Sequence, residues 1–360
     1  MTPPMKITEL QGGDLRTLSG SIHLDLSTCV NRYGPPPAVE AVLRSVDPRE
    51  ILAHPYGMEE RFVDAYATFL GVAPEHLVPG RGITEFIRVL AQLLPTSEVA
   101  VITPDYTDTI RWFPVHEGPL PGVTETAQSR LDRVASAMAR YPYVFFSNPN
   151  NPLGLYLHRD HLTDLCRAHP DSVLIVDEAY IDFMAEHREL SMVHSGLDNV
   201  VVLRSPNKLL GVAGTRTGAL WTRNTELRRR VAERKINWTL SYLDAAVVTA
   251  SLSGTDWIDR TRLALLDSAD RLEGLLSARF PGTITGVPVH YRFVESDEPG
   301  EIHRLFAESG IAVRAFDGTE PGRVSGVRIT APTHEELTAL PAVLREAAAD
   351  SDAKAAVPAG

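Results

Sequence analysis

Continuous apolar, β-rich runs recur along the chain, and amphipathic helical patterns fill the gaps between them. The runs are residues 99–104, 143–147, 173–177, 200–204 and 218–222. Their apolar residues are contiguous rather than alternating, as in strands covered on both faces. Between them, residues 84–94 place Ile87, Leu90, Ala91 and Leu94 at three- and four-residue steps, and residues 160–169 and 227–234 read similarly. Alternation of this kind predicts an α/β fold, a large domain whose mostly parallel sheet is covered by helices. The arginines at 228, 229, 230 and 234 form the solvated face of one such helix.

The last third changes character. A long helical stretch at 256–277 is followed by extended residues 282–294, a helix at 301–309, strands at 311–316 and 326–331, and a helix at 334–348. This predicts a smaller α+β C-terminal domain. The expected division is an N-terminal arm at 1–36, a large domain at 37–255, a small domain at 256–348 and a disordered tail at 349–360, where periodicity is lost.

Charge and cysteine usage exclude several partners. The chain of 360 residues carries 35 basic and 46 acidic groups, net −11, with the basic ones scattered. Nucleic acid and anionic membranes both require a concentrated basic face. Cys29 and Cys166 alone make neither a disulfide framework nor a zinc site, and no metal is expected. There is no apolar run of membrane-spanning length and no signal-peptide stretch at Met1, so the expected compartment is the cytoplasm. Of the 35 basic residues only Lys6, Lys208, Lys235 and Lys354 are lysine. Arginine cannot shed its proton, so a lysine kept in a loop after a strand invites a chemical explanation.

Open α/β sheets bind ligands at the carboxyl ends of their strands. Those ends carry Thr103-Pro-Asp-Tyr106, Ser147-Asn-Pro-Asn-Asn-Pro-Leu-Gly154, Asp177-Glu-Ala-Tyr180 and Arg204-Ser-Pro-Asn-Lys208, with Arg216 a little further on. A lysine amine can form a Schiff base with an aldehyde cofactor. A carboxylate can keep a pyridine nitrogen protonated, so that the ring draws electrons. A phenol and a carboxamide can bond a ring hydroxyl, and an aromatic side chain can stack on the ring. Serine, arginine and the helix start after Gly80-Arg-Gly82 can hold a phosphate. These are the groups that pyridoxal 5′-phosphate requires.

The motifs resemble those of the fold-type-I pyridoxal-phosphate aminotransferases of class I/II, and within them histidinol-phosphate aminotransferase and threonine-phosphate decarboxylase. Asn148-Pro-Asn-Asn-Pro-Leu-Gly154 is similar to NPNNPTG, Val176-Asp-Glu-Ala-Tyr-Ile-Asp-Phe183 to VDEAYxxF, and Ser205-Pro-Asn-Lys208 with Ala213-Gly-Thr-Arg216 to SxSK…AGxRxG. Val327-Arg-Ile-Thr330 matches a late RIT strand. The resemblance implies Lys208 as Schiff-base lysine and proton carrier, Asp177 at the pyridine nitrogen, and Asn151 and Tyr180 at the ring hydroxyl. It implies Tyr106 on the ring face, and Ile83, Thr84, Ser205 and Arg216 at the phosphate. Arg328 and Arg314 would bind anionic groups of the substrate, with Asn31 and His54 also on the substrate side. It also implies a homodimer acting on a small amino acid or keto acid.

The sequence departs from the pattern at four places. Asn207 stands where a small hydroxyl residue usually precedes the lysine. His54-Pro55 replaces Tyr-Pro, Gln11-Gly12-Gly13 replaces His-Gly-Gly, and Val30 replaces an acidic residue before the arm's asparagine. The last three fall on the substrate side. They predict intact cofactor chemistry with a changed substrate, an amino acid or keto acid of specialised metabolism, and weaken the case for a phosphorylated one. Decarboxylation, elimination or cyclisation on the same cofactor is the alternative to amino transfer. A non-catalytic binding module is disfavoured by the intact Lys208–Asp177–Asn151 set.

Overall fold

The computed structural model describes residues 12–13, 15, 21–119, 124–280, 282–338, 340 and 344. The expected tail at 349–360, most of the arm before residue 21, and most of the predicted helix beyond 338 lie outside the described residues. The chain forms two compact units. One comprises residues 33–151 and 155–262, and the other the described residues of 1–32, 152–154 and 263–360.

The first described strand, β1 (Leu24–Asp25), belongs to the smaller unit. The larger unit then runs α1 (Pro37–Ser45), α2 (Pro48–Leu52), α3 (Met58–Leu70), β2 (Leu77–Gly80), α4 (Ile83–Leu93), β3 (Val99–Ile102), α5 (Thr107–Trp112), β4 (Val115–Glu117) and α6 (Ala127–Met138). It continues with β5 (Tyr143–Ser147), α7 (Arg159–Ala168), β6 (Val173–Asp177), α8 (His187–Leu190), β7 (Val200–Arg204), β8 (Gly218–Trp221), α9 (Thr225–Arg234) and α10 (Tyr242–Leu252). Three helices between 37 and 70 were not anticipated, although their punctuation is visible in the sequence. Pro37 and Pro48 open α1 and α2, and left-handed Gly57 and Gly71 bracket α3.

Seven strands form one sheet in the order β2-β8-β7-β6-β5-β3-β4. β4, β3, β5, β6 and β7 run parallel, as expected. β8 runs antiparallel to both its neighbours, β7 and β2. A parallel return needs a crossover, usually helical. The link from β7 to β8 is spent on turns instead, among them Leu210 N–H to Pro206 O and Thr215 N–H to Val212 O. The central strands are buried along their length, Leu174–Val176 and Val200–Leu203 being wholly inaccessible. Each such side chain contributes roughly 1.5–3 kcal/mol of burial. On α4, Phe86, Ile87 and Leu90 are buried and fix that helix's face and hence its start. The basic face of α9 is solvated only in part: Arg229, paired to Glu226 and Glu233, and Arg234 are exposed, whereas Arg228 and Arg230 are half-buried and donate to Thr222 O and Leu93 O.

α11 (Thr255–Arg279) leads into the rest of the smaller unit: β9 (Ile284–Thr285), β10 (Tyr291–Glu295), α12 (Pro299–Glu308), β11 (Ile311–Ala312), β12 (Arg314–Phe316), β13 (Gly326–Thr330) and α13 (His334–Leu337). An antiparallel sheet runs β12-β13-β10-β9, and β1 pairs in parallel with β11. Leu272, Leu276, Val294, Phe306, Val327 and Ile329 centre its core. Residues 311–316, read as one strand, are two. Ile311, Val313 and Ala315 keep a single alternation into the core, but the backbone changes partner at Val313, from β1 to β13. A side-chain pattern does not register a change of backbone partner.

Candidate active site

Asp177 ends β6, buried, and its carboxylate accepts the Ala179 N–H at 2.9 Å. Burial pushes its carboxyl up to about 7; the positive charge of Lys208 and the Ala179 N–H pull the other way, while Asp105 and Glu178 add to the rise. Lys208 lies in the turn after β7, with Nζ 4.0 Å from the centre of the Tyr180 ring. Val212 N–H to Asn207 O and Gly211 N–H to Lys208 O close that turn. Gly211 is left-handed, and a Cβ there would meet the Gly34 backbone at 2.5 Å, so the turn requires glycine.

Tyr106 caps α5 directly after β3. Its hydroxyl donates to Asp108 Oδ2 at 3.3 Å. Burial pushes the phenol up to about 12, helped by the negative charges of Asp108 and Asp177. Behind it sits a pair absent from the sequence reading. Asp105 accepts from Tyr106 N, Ser147 N and Ser147 Oγ, and is paired with buried Arg130 of α6 at 3.1 Å. Ser147 Oγ in turn accepts the Asn151 N–H at 3.0 Å. One carboxylate thus ties the strand ends that present Tyr106 and Asn151.

α4 starts at Ile83 and Thr84 behind left-handed Gly82, which has φ 76°. A Cβ on Gly82 would lie 3.0 Å from Arg216 Nη2, and one on Gly218 would lie 2.8 Å from Gly82 Cα. Two glycines therefore let the Arg216 guanidinium lie against the start of α4. The first N–H groups of a helix lack partners within it, so this is a cradle for an anion. Ser205 borders it, its hydroxyl donating to Thr217 O at 3.1 Å.

A second unanticipated cluster lies beneath these residues. Buried Arg204, the last residue of β7, pairs with Glu178 at 2.8 Å and Asp182 at 2.5 Å, and Glu178 also accepts from Ser191. Burial alone would lower Arg204, but Asp182, Tyr66 and Glu178 outweigh it and hold the guanidinium charged. Arg204 precedes Ser205 and Glu178 follows Asp177, so the cluster fixes two site residues through their neighbours.

The structure thus brings Ile83, Thr84, Tyr106, Asn151, Asp177, Tyr180, Ser205, Lys208 and Arg216 to the carboxyl edge of one sheet in the larger unit. His54 is an exposed residue of that unit, its ring stacked on Trp238 with centroids 4.4 Å apart. Asn31, Arg314 and Arg328 are buried in the smaller unit. Arg314 and Arg328 stand directly opposite each other on β12 and β13. Both lie over the Phe316 ring, at 5.1 and 5.7 Å, and Arg328 donates to Ser27 O at 3.0 Å.

A large, mostly parallel sheet with this edge and a smaller antiparallel unit define the aspartate-aminotransferase-like architecture. The family model described as aminotransferase class I and II matches residues 21–344. The chain belongs to that family and is a pyridoxal-phosphate-dependent aminotransferase. The histidinol-phosphate aminotransferase of Moorella thermoacetica is 29% identical over 357 residues, 96% of this chain and 89% of the relative. That of Pseudomonas entomophila is 30% identical over 328 residues, 88% and 91% of the two chains. Among solved structures, histidinol-phosphate aminotransferase from Sinorhizobium meliloti in complex with pyridoxal-5′-phosphate aligns with TM-score 0.77 at 20% identity, over 92% of this chain and 93% of that one. L-threonine-O-3-phosphate decarboxylase from Porphyromonas gingivalis aligns with TM-score 0.73 at 19% identity, over 89% and 98%. These structural likenesses are of fold. Among the described residues no group of His, Cys, Asp or Glu is arranged to hold a metal, and no helix is long and apolar enough to cross a membrane.

The residues present fit the cofactor. A fully buried carboxylate calls for a cation, which a protonated pyridine nitrogen supplies. The space that a Cβ at Gly82 would fill, beside a guanidinium and a helix start, suits a phosphate.

Proposed function

We propose that the enzyme transfers an amino group between an α-amino acid and an α-keto acid of specialised metabolism, with Lys208 as the residue that carries the cofactor. The observation that supports this best is the convergence of the Lys208 amine, the buried Asp177 carboxylate and the Gly82–Arg216 cradle on one sheet edge.

When bound, pyridoxal phosphate supplies an aldehyde that condenses with amines and a ring that draws electrons from the substrate's α-carbon. Arg216, Ser205 and the α4 backbone at Ile83 and Thr84 would hold its phosphate. Asp177 would keep the ring nitrogen protonated, Tyr106 would lie on the ring face, and Asn151 and Tyr180 would bond the ring hydroxyl. The Lys208 amine would take a proton from the substrate's α-carbon and hold it for return in the transfer of the amino group. Arg328 offers a planar fork of donors suited to a carboxylate, with Arg314 beside it. The substrate-side departures at Val30 and His54 support a substrate other than the histidinol phosphate in the relatives' names. Two such chains would form a homodimer in the cytoplasm.

The test is a donor screen. Cofactor-loaded protein is offered amino acids one at a time, and histidinol phosphate, each with α-keto acid acceptors, while the cofactor spectrum and products are recorded. An α-amino acid that aminates the acceptor, with histidinol phosphate inert, is the expected result. Histidinol phosphate as the best donor would overturn the substrate assignment. Release of CO₂ or ammonia without amino transfer would overturn the reaction type.

A further inference from the structure

The residue before the lysine is Asn207, and its side chain is buried. Its amide nitrogen donates to Thr215 O at 2.8 Å, and its amide oxygen accepts the Thr217 hydroxyl. One side chain thus grips the backbone on one side of Arg216 and the side chain on the other. Between these points the Arg216 N–H donates to Asp244 Oδ1 at 2.8 Å. Asp244 is itself fixed by the capping box that starts α10, where Ser241 N and Oγ donate to its Oδ2. Ser205 Oγ adds a bond to Thr217 O. Residues 215, 216 and 217 are therefore each tied to something outside their own segment.

Such anchoring has a purpose at residue 216. An arginine side chain has many rotamers, and a strong grip on an anion requires that its origin be fixed before the ligand arrives. Clearance is also small, since the guanidinium sits where a Cβ on Gly82 would be only 3.0 Å away. A shift of the 216 backbone by a fraction of an ångström would move the fork off the start of α4.

We infer that Asn207 is a positioning residue for the cofactor's phosphate, acting through Arg216 rather than as an independent ligand of the anion. This rests on the assignment of Arg216 to the phosphate. One amide hydrogen of Asn207 remains beyond the Thr215 bond, so direct contact with the anion is the competing role.

The experiment measures the affinity of the full chain, stripped of cofactor, for pyridoxal phosphate and for pyridoxal, by absorbance titration. The ratio of the two affinities isolates the phosphate's contribution. Asn207→Ala should lower that ratio about tenfold, the size of one lost charge-assisted contact. Thr217→Val removes the hydroxyl from the other end of the tie and should lower the ratio in the same direction. Asn207→Asp cannot donate to Thr215 O and should do likewise, which keeps the test alive if Asn207→Ala fails to fold. In an Arg216→Gln background, Asn207→Ala should change the ratio little further, because the group it positions has gone. A lowered melting temperature with an unchanged ratio would make Asn207 merely structural and overturn the inference. Full additivity of Asn207→Ala and Arg216→Gln would also overturn it, in favour of direct contact. If Arg216→Gln alone leaves the ratio unchanged, the phosphate assignment itself has failed.

Discussion

Asp177 carries an electrostatic cost in the protein without cofactor. Its carboxyl, near 4 in an unfolded chain, is pushed up to about 7 in the fold by burial. A raised folded value means that the native state holds the proton more tightly. The stabilisation this brings is complete below about pH 4 and is lost as pH rises through about 7. Asp177→Asn cannot ionise, and its side-chain oxygen still accepts the Ala179 N–H. In cofactor-free protein, thermal unfolding should therefore show the variant above the wild type at pH 8, by roughly 2–4 °C per kcal/mol recovered, and the gap should vanish at pH 4. The same variant should lose about 100-fold or more in turnover with cofactor, because no charge faces the ring nitrogen. A gap that does not change with pH would show that Asp177 is already matched by a cation. Lys208 and Asp177 were legible in the sequence because amine and carboxylate chemistry follows buried strands directly. Arg130 and Asp244 were not. They reach Asp105 and Arg216 from helices far along the chain; the Ser241-x-x-Asp244 capping pattern marks a helix start but not its reach to Arg216.

Among the elements, β7 does two tasks. Its apolar residues fill the sheet, and its last residue, Arg204, neutralises Glu178 and Asp182 beneath the site. Removing the cation strands two buried carboxylates, so Arg204→Met should cost about 3–5 kcal/mol in urea unfolding. A loss under 1 kcal/mol would mean that the carboxylates find other partners. The strand run was legible as 200–204, and its terminal arginine falls in the Arg204–Lys208 segment at the ligand-binding edge, yet nothing in the sequence pairs it with Glu178 and Asp182. The converse held at β12 and β13. Arg314 and Arg328 were noted for their charge, whereas their direct opposition depends on a register that the sequence does not display. Arg328→Lys keeps the charge and loses the fork. It should lower kcat/KM by about 30–150-fold, or roughly 2–3 kcal/mol, mainly through KM, with cofactor affinity unchanged in titration. Unchanged kinetics would remove Arg328 from the substrate.

For the whole molecule, the mostly parallel sheet and the smaller α+β unit were legible because uninterrupted apolar runs admit few other architectures. The reversal of β8 was hidden, since a buried antiparallel strand inside the sheet has the same apolar composition as a parallel one. Homodimerisation predicts that light scattering finds twice the 39.5 kDa chain mass at assay concentration; a fully active monomer would contradict it. The most direct test concerns the lysine. Borohydride reduction of the cofactor-loaded enzyme, followed by peptide mapping, should place the whole covalent adduct on Lys208, and Lys208→Arg, which cannot condense with an aldehyde, should give neither adduct nor turnover. An adduct on Lys6, Lys235 or Lys354, or turnover by Lys208→Arg, would contradict the assignment of the site.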